Sequence, residues 1–159
     1  MTTELSFDEN GYLIPCEEIE TNMETLKKYF VDAFPNSQTR KLIFANYEKF
    51  ITDFQYEIFP HFEQWIGGSF VTLKENPNDI DVTTFVDYKV VDLRGDKIEK
   101  FWSYSMENKR IDSYIVREYQ ERDIKYQTFL KAKRNRKLLY ASTRNNKLPK
   151  GFLKLTFKK

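Results

Sequence analysis

Residues Trp65 to Phe85 read WIGGSFVTLKENPNDIDVTTF, and the rest of the chain is organised around them. Phe62 to Ile66, following Pro60, has the apolar content of a short buried strand. Gly67 and Gly68 then allow backbone conformations closed to other residues. Ser69 adds a hydroxyl and an N–H. A glycine-rich turn leaving a strand makes a concavity for anionic oxygens. Packing also favours glycine at such a turn, so the turn alone does not decide the chemistry. The next ten residues do. In Asp79-Ile80-Asp81-Val82 the two aspartates are two apart in a β-branched run. On a strand they share one face, roughly 6.6 Å apart along the chain. Ile80 and Val82 then turn towards the core. At roughly 6 Å and an effective dielectric near 20, two carboxylates repel by about 3 kcal/mol. A fold that keeps both has a use for them, and a hard divalent cation shared with substrate phosphates is the expected one. The alternative is a solvated strand edge that happens to carry two acids.

This pattern resembles the nucleotidyltransferase superfamily, the polymerase-β-like fold. Its signature is a hydrophobic residue, Gly-Gly or Gly-Ser, about ten residues, then Asp-x-Asp between hydrophobic residues. Ile66-Gly67-Gly68-Ser69 matches the first part and Asp79-Ile80-Asp81-Val82 the second. The residue before the first aspartate is often Ser in that superfamily; here it is Asn78. The chain is most similar to a group of small bacterial nucleotidyltransferase-like proteins. They share Trp-Ile-x-Gly-Ser-Phe-Val-Thr and Asn-Pro-Asn-Asp-Ile-Asp-Val, an N-terminal Asp-x-x-Gly-x-Leu-x-Pro and a Lys-Gly-hydrophobic ending. The last two correspond to Asp8 to Pro15 and Lys150-Gly151-Phe152.

The resemblance implies an α+β fold, with a small mixed sheet, two N-terminal helices and flanking helices. It also implies a third carboxylate on a strand beside Asp-x-Asp. Lys109 to Glu118 reads as that strand, and Asp112 follows a hydrophobic residue, 31 positions after Asp81. Asp79, Asp81 and Asp112 are therefore the expected catalytic and metal-ligating set. They would hold two Mg²⁺ ions, or Mn²⁺ in their place. Gly67, Gly68, Ser69, Lys74, Asn78 and Arg134 are the expected nucleotide-binding residues. The expected activity is Mg²⁺-dependent transfer of a nucleoside monophosphate from a nucleoside triphosphate to a protein or nucleic-acid acceptor, RNA among them.

At 159 residues, one domain is expected: an extended segment and helical pair to residue 60, a core over 61–118, and a basic helix and final strand over 119–159. Phe and Tyr together number 24, enough aromatic volume for a packed core. The single Cys16 excludes an internal disulfide and fits a cytoplasmic setting. No apolar run approaches the length of a membrane span, so no membrane partner is expected. With His61 the only histidine, a multi-histidine metal site is impossible. Cys16 has Glu17 and Glu18 as neighbours and no base to activate it.

Net charge is +2, but Lys131 to Lys159 holds eleven basic residues and no acid. The remainder carries 15 basic against 24 acidic residues, a balance of −9. Such asymmetry suits a polyanion facing the C-terminal part, or simple neutralisation within the molecule.

The remaining elements follow from periodicity. Thr21-Asn22-Met23-Glu24 reads as a capping box with Thr21 as the cap. Met23, Leu26, Phe30, Ala33 and Phe34 share one helical face, ended by Pro35. Ser37 caps a second helix with a stripe of Ile43, Tyr47, Phe50, Ile51, Phe54 and Ile58. Leu93 to Met106 reads as a helical connection, Tyr119 to Thr143 as a helix, and Phe152 to Phe157 as a last strand.

Two other functional readings are open. Small members of the superfamily often look like halves of bacterial toxin–antitoxin or defence pairs, so a catalytically silent binding module with a partner from a neighbouring gene is one. RNA binding through the basic C-terminal third is the other, and no RNA-recognition motif supports it.

Overall fold

The structure is a computed structural model that describes residues 4–102, 109–145 and 147–158. The end of the expected Leu93–Met106 helical connection, from 103 onwards, lies outside the described residues. The fold is mixed α+β, with a small mixed sheet and five α-helices among the described residues. It opens with a two-stranded hairpin, β1 (Ser6–Phe7) and β2 (Leu13–Ile14), paired antiparallel. The five-stranded sheet contains β3 (Glu18–Thr21), β4 (Phe62–Gly67), β5 (Ile80–Asp87), β6 (Ile111–Glu118) and β7 (Phe152–Phe157). Its order is β3-β7-β4-β5-β6. The β3/β7 and β5/β6 pairs are parallel, and β4 runs antiparallel to both of its neighbours.

The parallel β5/β6 pair requires a crossover. The helices α3 (Tyr88–Leu93) and α4 (Gly95–Trp102) supply it. The helix thus starts at Tyr88, five residues before the expected Leu93, because the Asp87 side chain accepts the Lys89 N–H and caps it.

Strand alternation puts two cores on the two faces of the sheet. On one face Ile66, Ile80, Val82, Ile111 and Leu153 meet the helices α1 (Met23–Lys27) and α2 (Arg40–Glu57), with α4 beside them. The expected α2 stripe of Ile43, Tyr47, Phe50, Ile51, Phe54 and Ile58 is buried there. On the other face Trp65, Phe85, Val116 and Phe152 pack under the helix α5 (Tyr126–Tyr140) through Phe129 and Tyr140.

Three local expectations change. The cap of α1 is Asn22, whose side chain accepts the Thr25 N–H, because Thr21 is held in β3 by its pairing with Leu155. The first helix continues as a π-helical turn over Lys28–Asp32. In addition, α5 starts at Tyr126 and ends at Tyr140, shorter at both ends than expected.

Candidate active site

The β5/β6 register sets the site. Asp81 lies directly opposite Asp112, so parallel pairing places their carboxyls side by side. The two side chains share a hydrogen bond, and the Asp81 pKa is pushed up to about 7. Burial is the main cause, followed by the charges of Asp79 and Asp112, and Lys150 opposes them. Asp79, one residue before β5, is raised by burial and then by Asp112. Arg144, Lys74 and Arg110 pull it back. Two carboxyls this close must share a proton or a cation.

Gly68 forms the floor. It has φ +73°, and a Cβ there would fall on the Asp81 carboxylate. Only glycine lets the backbone pass this close to Asp81 in a left-handed conformation. The chain then enters a 3₁₀ turn, Ser69–Val71. Gly67 has a different task from the one expected. It is buried, and a Cβ on it would run into the Tyr140 ring. The first glycine of the pair therefore seats α5, while the second passes Asp81.

A cavity of about 670 Å³ opens over these groups. Asp79, Asp81 and Asp112 line it with Gly68, Ser69, Lys74 and Asn78, so seven of the nine expected site residues meet at one place. Arg134 does not line it; it is exposed on α5, and Gly67 is the other absentee. The cations in the cavity besides Lys74 are Arg144 and Lys150, both in the segment after α5. Lys150 is only 7% exposed, and burial lowers its pKa although Asp81 works the other way. Asn10 and Tyr12 of the N-terminal hairpin also line the cavity. A second cavity of about 280 Å³ shares Gly68, Asp81, Arg144 and Lys150 with the first, and Leu138 and Leu139 stand at it.

The cavity loop is braced from below by Arg40, which is fully buried. Its guanidinium donates to the carbonyls of Phe70 at 2.7 Å, Thr72 at 2.8 Å and Phe30 at 2.9 Å, and also to Lys74. The Phe34 ring lies 4.1 Å from its central carbon. Pro35 has no N–H to offer back to Phe30, and Arg40 satisfies that carbonyl instead. Burial lowers the Arg40 pKa to about 10, partly offset by Glu75, so it remains a cation at neutral pH. Not every basic residue of α5 is available to a ligand. Arg136 donates to Thr83 at 3.0 Å and Tyr140 at 3.2 Å, and Lys133 lies over the rings of Trp65, Phe85 and Phe129.

Among the described residues, no three His, Cys, Asp or Glu side chains form a ready-made metal cluster. The donor chemistry nevertheless suits a hard cation. Asp81 and Asp112 hold carboxyl oxygens side by side, the hard ligands that a divalent ion takes. None of the helices among the described residues is long and apolar enough to cross a membrane.

Fold and site together define an α+β protein with an acidic strand pair beside a cation-walled cavity. The chain belongs to a family of unknown function, DUF6932, whose model matches residues 5–156. No curated protein and no solved structure is significantly similar to it.

Proposed function

We propose that this protein is a nucleotidyltransferase of polymerase-β-like fold. It would transfer a nucleoside monophosphate from a nucleoside triphosphate to a hydroxyl on a protein or nucleic-acid acceptor. The observation carrying this reading is the Asp81–Asp112 pair, set against the Gly68 backbone in a cavity that also holds Lys74, Arg144 and Lys150. Carboxylates and cations lining one space fit a ligand that is itself a polyanion bound with divalent cations. Asp79, Asp81 and Asp112 would hold Mg²⁺, or Mn²⁺, which supplies charge neutralisation and polarisation of phosphoryl oxygens.

The chain's own groups do the rest. The Gly68–Ser69 turn offers backbone N–H groups and a hydroxyl to the phosphates. Lys74, Arg144 and Lys150 balance the charge that grows on the departing pyrophosphate. The acceptor oxygen bonds to the α-phosphorus, the α–β bridging bond breaks, and the hydroxyl proton passes to solvent. Attack and departure lie roughly in line, so the acceptor and the pyrophosphate need separate approaches. The second cavity, which adjoins the first at Gly68, Asp81, Arg144 and Lys150, would give the acceptor its approach.

A silent binding module is favoured by one observation. The charge of buried Lys150 acts on Asp81, whose carboxyl shares a hydrogen bond with Asp112, so the chain offsets part of the charge of its own site. One experiment separates the two. With α-labelled nucleoside triphosphates, Mg²⁺ and extract, the enzyme labels a product, and the double variant Asp79→Ala/Asp81→Ala does not. No labelling with any nucleotide or metal, with a stable complex to a neighbouring gene's product, would establish the silent module instead.

A further inference from the structure

One sequence motif has no part in phosphate chemistry: Asp8-x-x-Gly11-x-Leu13-x-Pro15. Its residues build a tight hairpin. Asp8 Oδ1 accepts the N–H groups of Asn10 at 2.8 Å and Tyr12 at 3.0 Å. Gly11 takes φ +82°, and a Cβ there would crowd Leu73. Its carbonyl accepts the Leu73 N–H at 3.0 Å. The carbonyl of buried Leu13 accepts the Gly151 N–H at 2.7 Å. The hairpin is thus tied to two walls of the large cavity: the loop after Ser69 and the segment carrying Lys150.

What the hairpin presents there is uncharged. Asn10 and Tyr12 line the cavity. The Asn10 amide and the Tyr12 hydroxyl form no hydrogen bond among the described residues. The charged groups of the cavity lie on other segments, in 74–81, at Asp112 and in 144–150.

We propose that this hairpin tip is the nucleoside subsite and that it selects adenine by reading the N6/N7 edge of the base; the inference rests on the nucleotide reading above. A triphosphate needs charge, whereas a base and its sugar need a neutral, amphipathic wall. Tyr12 gives a ring face for packing against the base. Asn10 gives a donor and an acceptor side by side. Adenine offers an N6 donor beside an N7 acceptor and pairs with both groups of an amide. Guanine offers two acceptors at the matching edge, which leaves the amide oxygen opposed by another oxygen.

The test is calorimetric titration of the whole chain, in Mg²⁺, with ATP, GTP, CTP, UTP and inorganic tripolyphosphate. The wild-type protein binds ATP at least about tenfold tighter than GTP. Asn10→Ala brings the four nucleotides within about threefold of one another and leaves tripolyphosphate unchanged. That variant keeps the turn, which uses the Asn10 backbone N–H and not its side chain. Tyr12→Ala weakens all four nucleotides alike. Unaltered selectivity in Asn10→Ala, or a wild-type preference for another base, overturns the subsite and leaves the nucleotidyltransferase reading standing. A wild-type chain that binds neither nucleotide nor tripolyphosphate overturns both.

Discussion

Strands β5 and β6 carry a facing pair of carboxyls at each end: Asp81 opposite Asp112, and Asp87 opposite Glu118. The strands, the face and the register are the same, yet the two ends have different fates. At the far end the acids are used by the fold. Asp87 caps α3 through the Lys89 N–H at 2.8 Å. Glu118 is pushed up by burial and by Glu63 and Asp87, while Lys133 answers it from α5, and Glu63 lies 3.9 Å from Lys154. At the near end no helix is capped, and Asp81 turns to Asp112 and to a cavity. Acids that face each other are therefore not enough to mark a site. The mark is a pair that caps no helix and opens on a cavity, beside a backbone that makes room for it.

Three experiments can break or sharpen that contrast. The largest effect is on turnover. Asp112→Asn lowers nucleotidyl transfer by about a hundred- to a thousandfold, the scale of losing one charge-organising group at a reacting centre. Glu118→Gln on the same strand leaves it within about threefold, a threshold set well below that scale. Equal losses in the two variants would mean that the ends do not differ in function.

The second effect is on stability against pH, read as the melting temperature in a chelator. Burial and its acidic neighbours push the Asp81 carboxyl up to about 7 from an ordinary 3.8. The folded state therefore holds a proton that the unfolded state has released between those values. The contribution of this group to stability is full below about pH 4 and is lost as pH rises through 7, by about 3 kcal/mol after allowance for coupling. Asp81→Asn flattens most of this slope. Glu118 is raised in the same direction, and Glu118→Gln removes a smaller share. A flat profile in the wild-type chain would refute the crowded-carboxylate picture.

The third compares two glycines. Gly68→Ala drives a Cβ into Asp81 at a positive φ and destabilises by about 2 kcal/mol, with loss of nucleotide binding. Gly95→Ala, at the start of α4 with nothing within 4 Å of the added Cβ, is neutral or stabilises by up to about 1 kcal/mol. Chemical denaturation reads both, and a tolerated Gly68→Ala would remove the close approach from the site.

How much of this was legible in the sequence follows from the range of each interaction. The i, i+2 spacing of Asp79 and Asp81 is local, and strand period alone places them together. Asp112 needed one further step, a parallel neighbour reached by a crossover, and its register puts it opposite Asp81. Arg144 and Lys150 were hidden in a basic run, because nothing in the order of residues says which cations turn towards a cavity. Arg134 was singled out from that same run, and it stays on the outer side of α5. Gly67 and Gly68 look alike as a pair, and only the opposite neighbours, Tyr140 and Asp81, separate their tasks. Strand β3 escaped notice because it is a polar edge strand, alternating exposed and half-buried residues, whose pairing partner is at the other end of the chain.

Arg40 has a consequence for how the molecule opens. The loop over 70–74 lies outside the sheet ladder, and much of its carbonyl bonding runs to a side chain on the first turn of α2. Lysine could not take over, since a single ammonium cannot reach four carbonyls spread around a planar fork. Loosening the N-terminal helices therefore releases the loop as well, so a ligand that orders the loop must also tighten helices it never touches.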